Sequence, residues 1–303
     1  MEQNQMIQEI NRLKKEKDAI ILAHNYQISE VQQVADIVGD SLALSKAAQE
    51  VDNNLIVFCG VHFMAESVKI LSPHKKVLLP AIDAECPMAD MVTAEDLREY
   101  KSKNPDTTIV CYVNSSAEVK AECDICCTSS NALKIIKSID TKKILFVPDQ
   151  NLGNYIKNKV KDKEIELWSG FCITHHRVKG HEVERVKEVR PDAEVLVHPE
   201  CNDEVVQRAD FVGSTSEIIN YATKSDRDEF VIGTEMGVLH KLESDNPNKR
   251  FYLLSTGLIC TNMKKTTLKD VYEALKNEQH EIDVQEDIRI RALKSLNKML
   301  ELS

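Results

Sequence analysis

Three stretches of this chain repeat one another at intervals of 86 to 88 residues, and that period restricts the folds open to it. Each repeat begins with an apolar run ending in polar residues: Ile20 to Tyr26, Thr108 to Asn114 and Glu194 to Glu200. A short apolar piece follows, opened by an aspartate and closed by hydroxyls: Asp36 to Ser41, Asp124 to Ser129 and Asp210 to Thr215. A third run ends in turn residues: Leu55 to Gly60, Ile144 to Asp149 and Phe230 to Glu235. A last strand-like run precedes Cys86, Cys172 and Cys260, which lie 86 and 88 residues apart.

Helical patterns separate these runs. Val31, Val34 and Val38 follow Ser29; Leu133, Ile136 and Ile139 follow Ser130; Ile218, Ile219 and Ala222 follow Thr215 and Ser216. Small hydroxyl residues at such junctions suit helix N-caps. Short β-rich runs alternating with helices predict parallel strands joined by crossovers. The fold class expected is therefore α/β: three pseudo-threefold-related αβα units with short parallel sheets around a central active site. The first unit spans residues 1–87 with C-terminal helices at 264–303, the second 88–173 and the third 174–263. Met6, Ile10 and Leu13 mark a helix at the start, and Leu293, Leu296 and Leu300 mark one at the end. Both ends are expected to pack on the first unit.

Ligands bind beyond the carboxyl ends of parallel strands, where each repeat carries its polar residues. A threefold arrangement aims these at one cavity. The candidates are His24, Tyr26, Ser41, Tyr112, Asn114, Ser129, His198, Glu200, Ser214 and Thr215, with Cys86, Cys172 and Cys260. Hydroxyls at helix starts suit carboxylate or phosphate oxygens, and His, Tyr and Glu supply proton donors and acceptors. Neither a P-loop nor G-x-G-x-x-G occurs, so a small, multiply anionic ligand is expected rather than a nucleotide. Three thiolates leave a metal centre one open position. Zinc is one option; a 4Fe–4S cluster with three ligands is the other. Ligands on three distant loops favour the bulkier cluster.

Composition narrows the function classes. The chain has 303 residues, 42% hydrophobic, and a net charge of −10 with scattered Lys and Arg. That excludes a concentrated basic face for nucleic acid. No apolar run approaches the ~20 residues of a membrane helix, so a cytoplasmic location is expected. Nine cysteines there read as ligands, redox thiols or small hydrophobes rather than disulfides.

The residues carry a resemblance over essentially the whole length. His24-Asn25-Tyr26, Gly39-Asp40-Ser41, Gly60 to Glu66, Tyr112-Val113-Asn114, Thr128 to Asn131, Pro148 to Gly153, His198 to Cys201 and Gly233 to Gly237 resemble the quinolinate synthase family. The resemblance implies three αβα units. It implies condensation of iminoaspartate with dihydroxyacetone phosphate to quinolinate, with loss of phosphate and two waters, in de novo NAD biosynthesis. It implies an oxygen-sensitive 4Fe–4S cluster on Cys86, Cys172 and Cys260, acting as a Lewis acid. Tyr26 and Glu200 are then the expected proton-transfer groups, with His198 assisting. His24, Ser41, Tyr112, Asn114, Ser129, His198, Glu200, Ser214 and Thr215 are expected to bind substrate. An oxidase or dehydrogenase supplying iminoaspartate is an expected partner, and the chain is expected to be a monomer or homodimer. One departure is Thr261 where relatives often have Pro, which alters loop stiffness more than ligation.

Other readings are blander. Cys123, Cys126 and Cys127 include a C-x-x-C but read as packing residues, with a redox role as the alternative. His175, His176 and His181 read as partly solvated residues after Cys172. Glu235 reads either as a supporting carboxylate or as an acid/base group. Competing functions are another iron–sulfur dehydratase, a zinc-dependent lyase, and a cluster-based sensor.

Overall fold

The computed structural model describes residues 2–303. It holds three four-stranded parallel sheets with one topology. The first contains β1 (Ala19–His24), β2 (Ile37–Gly39), β3 (Leu55–Cys59) and β4 (Lys76–Leu78), ordered β2-β1-β3-β4. The second contains β5 (Thr108–Tyr112), β6 (Ile125–Cys127), β7 (Lys143–Val147) and β8 (Glu164–Leu167), ordered β6-β5-β7-β8. The third contains β9 (Glu194–Val197), β10 (Phe211–Val212), β11 (Glu229–Gly233) and β12 (Arg250–Leu253), ordered β10-β9-β11-β12. Helices flank each sheet, giving the three αβα units.

Strands covered on both faces need apolar residues at every position rather than alternately. Leu55–Cys59 is accordingly buried throughout. Ile56 and Phe58 enter one core cluster and Val57 and Cys59 another. The third sheet divides alike, with Val195 and Val231 on one face and Leu196, Phe230 and Ile232 on the other.

The recurring aspartate has a local cause. Asp36, Asp124 and Asp210 stand just before the short strands β2, β6 and β10. Each carboxylate accepts a backbone N–H from the neighbouring strand, that of Ile21, Ile109 or Val195, all at 2.8 Å. The side chain thus completes a ladder that the edge strand is too short to supply. This also stops the first predicted helix early. It runs Ser29–Val34, and Val38, expected on its apolar stripe, lies in β2.

The chain ends divide between units. Leu268–Asn277 packs against the first helix, Gln3–Glu16, through Leu268, Val271 and Leu275. The last helix, Glu286–Glu301, expected on the first unit, packs chiefly on the second, against Ala117–Ala121 and β6, and meets the first through the helix His62–Leu71. Ser295 Oγ donates to the Lys120 carbonyl at 2.9 Å, and Cys126 Sγ donates to Ser295 Oγ at 3.3 Å. Leu296 is fully buried in the second unit's core. Leu296→Ala should destabilise the protein by about 2–5 kcal/mol, read as a lowered urea midpoint; a change under about 0.5 kcal/mol would place this helix outside the cooperative core.

Candidate active site

The carboxyl ends of the three sheets face one cavity of about 1050 Å³, open mouth included. Its wall contains Cys86, Cys172 and Cys260 from the three loops that follow β4, β8 and β12. It also contains His24, Tyr26, Ser41, Tyr112, Asn114, Ser129, His198, Glu200 and Thr215. The structure therefore brings together every predicted site residue except Ser214. That hydroxyl is fully buried and caps its own helix, accepting the Glu217 N–H at 3.3 Å. Ser214 is a helix cap, and its expected place as a substrate ligand is corrected here.

Two histidines are locked into one tautomer by backbone geometry. The Tyr26 N–H donates to His24 Nδ1 at 3.1 Å, and the Glu200 N–H donates to His198 Nδ1 at 3.2 Å. A backbone N–H only donates, so each Nδ1 is an acceptor and the ring proton sits on Nε2. His198 Nε2 then reaches Ser129 Oγ at 3.2 Å. Burial lowers His24 to about 4 and His198 to about 3, against the pull of nearby carboxylates. Both rings are neutral donors at pH 7.

A proton relay runs from the phenol of Tyr26 to Glu200. Tyr26 Oη lies 2.8 Å from Thr234 Oγ1, which lies 3.0 Å from His175 Nε2. His175 Nδ1 lies 2.8 Å from Glu200 Oε2. The carboxylate can only accept, so Nδ1 carries a proton, and in a neutral ring Nε2 accepts from Thr234. Thr234 in turn accepts from Tyr26, while Thr215 Oγ1 donates to Tyr26 Oη at 2.8 Å. Burial, then Glu200, pushes the Tyr26 phenol well above its ordinary range, so it enters the relay protonated. Burial acts to raise Glu200, but hydrogen bonds from His175 and Tyr112 hold the carboxyl low. His175 is 1% exposed and stacked on His198 at 4.8 Å. It had read as partly solvated. Its i, i+3 spacing from Cys172 on a helical turn was the one available signal.

The wall also contains unmet acceptors. Glu200 Oε1 and Asn114 Oδ1 are buried without hydrogen-bond partners. Groups of this kind call for a donor from a ligand. Burial pushes the thiols of Cys86, Cys172 and Cys260 up, Cys86 to about 12, so a metal held by them would displace their protons. Cys172 Sγ, His175 and Glu200 present donor atoms within 4.8 Å of one another, a grouping able to hold a metal. The other six cysteines are buried free thiols, including Cys123, Cys126 and Cys127.

Tyr26 is also fixed from outside. Gly237 packs so closely that a Cβ there would lie 2.7 Å from the Tyr26 backbone. Gln32 Nε2 ties Gly237 O to Asn25 O at 3.1 and 3.0 Å. No helix among the described residues is long and apolar enough to cross a membrane.

The sequence pattern of the quinolinate synthetase A proteins matches residues 8–301. A curated quinolinate synthase from Alkaliphilus metalliredigens is 64% identical over 302 residues, covering 100% of both chains. One from Caldicellulosiruptor bescii is 60% identical over 97% of each chain, and one from Clostridium kluyveri 59% over 98% of each.

The lowered histidines give a pH dependence for the metal-free protein. Between about pH 6.5 and the folded values near 4 and 3, the unfolded chain binds more protons than the folded one. Stability is therefore complete above about pH 6.5 and falls as pH drops through 4 toward 3. Urea midpoints should decline across that window, with a shallower decline in His198→Asn. Equal slopes in the two proteins would count against a buried neutral His198.

Proposed function

This chain belongs to the quinolinate synthetase A family, and we propose that it works as a quinolinate synthase in NAD biosynthesis. It would condense iminoaspartate with dihydroxyacetone phosphate, releasing phosphate and two waters. The observation that carries the reading is convergence: three cysteines, one per repeat, open on the cavity into which the Tyr26–Thr234–His175–Glu200 relay also leads.

The donor set fits a resident cluster. Three thiols from separate loops share one cavity with unpaired buried acceptors beside them, leaving room for a group larger than a single ion. Cys86, Cys172 and Cys260 would hold a 4Fe–4S cluster. When bound, such a cluster supplies an iron with an open position, able to act as a Lewis acid on a substrate oxygen.

The chain's own residues would do the remaining work. Substrate carboxylates and phosphate would meet neutral donors: the Nε2–H groups of His24 and His198 and the hydroxyls of Ser41, Ser129 and Thr215. Asn114 Oδ1 would accept from the substrate nitrogen or a hydroxyl. Tyr26 would give its phenolic proton to a departing hydroxyl; with His175 Nε2 unprotonated the chain through Thr234 leads protons away from Tyr26, so it would restore that proton only from a ring protonated on both nitrogens. Glu200 would set the direction of that relay by holding the Nδ1 proton of His175. Burial excludes water from these groups and strengthens each interaction. A cytoplasmic location suits thiols that must stay reduced. The instability of iminoaspartate implies a nearby oxidase or dehydrogenase that forms it.

The Cys172–His175–Glu200 grouping favours one alternative, a zinc-dependent lyase. Anaerobic purification with iron, sulfide and zinc analysis, followed by an assay with both substrates, separates the two. Brown protein that forms quinolinate is expected; colourless zinc protein without that activity would sink the proposal. Tyr26→Phe should keep the cluster's visible spectrum and lose about 10²–10⁴ in kcat, and near-normal turnover would remove Tyr26 from the relay.

A further inference from the structure

We propose that Asp149 and Glu235 are positioning residues that fix the backbone of Cys172 and Cys260, and that Cys86 is held without such a strut. This rests on the reading that the three cysteines hold a cluster.

All three cysteine loops share one backbone tether. The His62 N–H donates to Ala84 O at 2.8 Å, Gln150 N–H to Gly170 O at 2.8 Å, and Met236 N–H to Leu258 O at 2.9 Å. Each acceptor lies two residues before its cysteine. Two repeats add a second tether. Asp149 Oδ2 accepts the Cys172 N–H at 3.0 Å, while its Oδ1 accepts the Leu152 N–H at 2.7 Å. Glu235 Oε1 accepts the Cys260 N–H at 3.1 Å, while its Oε2 accepts Gly237 N–H at 2.7 Å and Lys264 Nζ at 3.0 Å. The two carboxylates occupy equivalent places, 86 residues apart, each just beyond the third strand of its unit. The matching position in the first repeat is Val61, which has no acceptor to offer.

Both carboxylates are fully buried. Burying such a group is costly unless its oxygens are satisfied, and here both oxygens of each are bound to donors. An amide cannot replace either one, because it offers a single acceptor oxygen and an NH₂ that would face an N–H. The strut on Cys260 extends further. Lys264, paired with Glu235, also donates to the Tyr26 carbonyl at 2.6 Å. One carboxylate thus links a cysteine loop to the start of the proton relay.

Outer partners that orient metal ligands are typically worth about 10–100-fold in affinity. The test uses full-length Asp149→Asn and Glu235→Gln beside the wild type. In metal-free protein, Asp149→Asn should speed amide hydrogen exchange in the peptide containing Cys172 and spare the one containing Cys260. Glu235→Gln should do the reverse. After anaerobic reconstitution, iron release to a ferrous chelator should rise about 10–100-fold in each variant. The cluster's midpoint potential should shift as the hydrogen bonds that fix the cysteine loop are lost, a change that a general loss of stability does not produce. Unchanged exchange at the targeted loop, or wild-type iron retention with wild-type potential, overturns the strut. A wild type that takes up no iron overturns the cluster reading beneath it, a distinct failure. If one variant does not fold, the other decides the same question in its own repeat.

Discussion

The site depends on a backbone bond made three times. In each unit the third residue past the third strand's end ties down the loop that follows the fourth strand, at a carbonyl two residues before the cysteine. The order second-first-third-fourth puts the third and fourth strands side by side, so this bond spans a short gap and needs no special side chain. It turns each loop back over the carboxyl end of its own sheet. With three units around one cavity, three thiols arrive there from positions 86 and 88 residues apart. Neither a shared loop nor a sequence cluster is required.

Features set by backbone pairing were legible in the sequence; features set by the choice between two hydrogen-bond partners were not. Asp36, Asp124 and Asp210 recur because each completes the same ladder, and so their period could be read directly. Ser41 and Ser214 look alike in the sequence but stand one place apart in the repeat, Ser41 matching Thr215 and Asp40 matching Ser214. In the first unit Asp40 caps the helix, accepting the Ala43 N–H at 2.9 Å, which leaves Ser41 on the cavity wall. In the third unit Ser214 itself stands at the cap position and accepts the Glu217 N–H, and Thr215 is the hydroxyl on the cavity wall. A motif cannot say which hydroxyl is spent on its own helix.

His175 and the last helix were obscured for different reasons. A histidine pair on a short helix after Cys172 looks solvated until the third unit's Thr234 and Glu200 are folded against it. Those partners lie 59 and 25 residues further along the chain. The leucines of Glu286–Glu301 announced one buried face, but periodicity fixes a face and not the surface it meets. That surface is chiefly the second unit, through Ser295 and Lys120.

The departures from threefold symmetry give the cavity its electrostatic character. In the first and third repeats a histidine Nδ1 accepts the N–H two residues on. Protonating that nitrogen would set N–H against N–H, so the lock itself opposes a positive ring, in the same direction as burial. The second repeat has Tyr112 at this position, a phenol that burial and Glu200 keep protonated. The three equivalent places therefore all present neutral donors, and Glu200 is the anion beside them. On the proposed reading, an anionic substrate is met at these three places by donors that carry no charge of their own, with Arg177 the cation on the cavity wall. The same neutrality sets the condition for proton transfer. Tyr26 cannot ionise alone beside Glu200 in a buried cavity; on the proposed reading its proton leaves only as negative charge developing on the substrate accepts it.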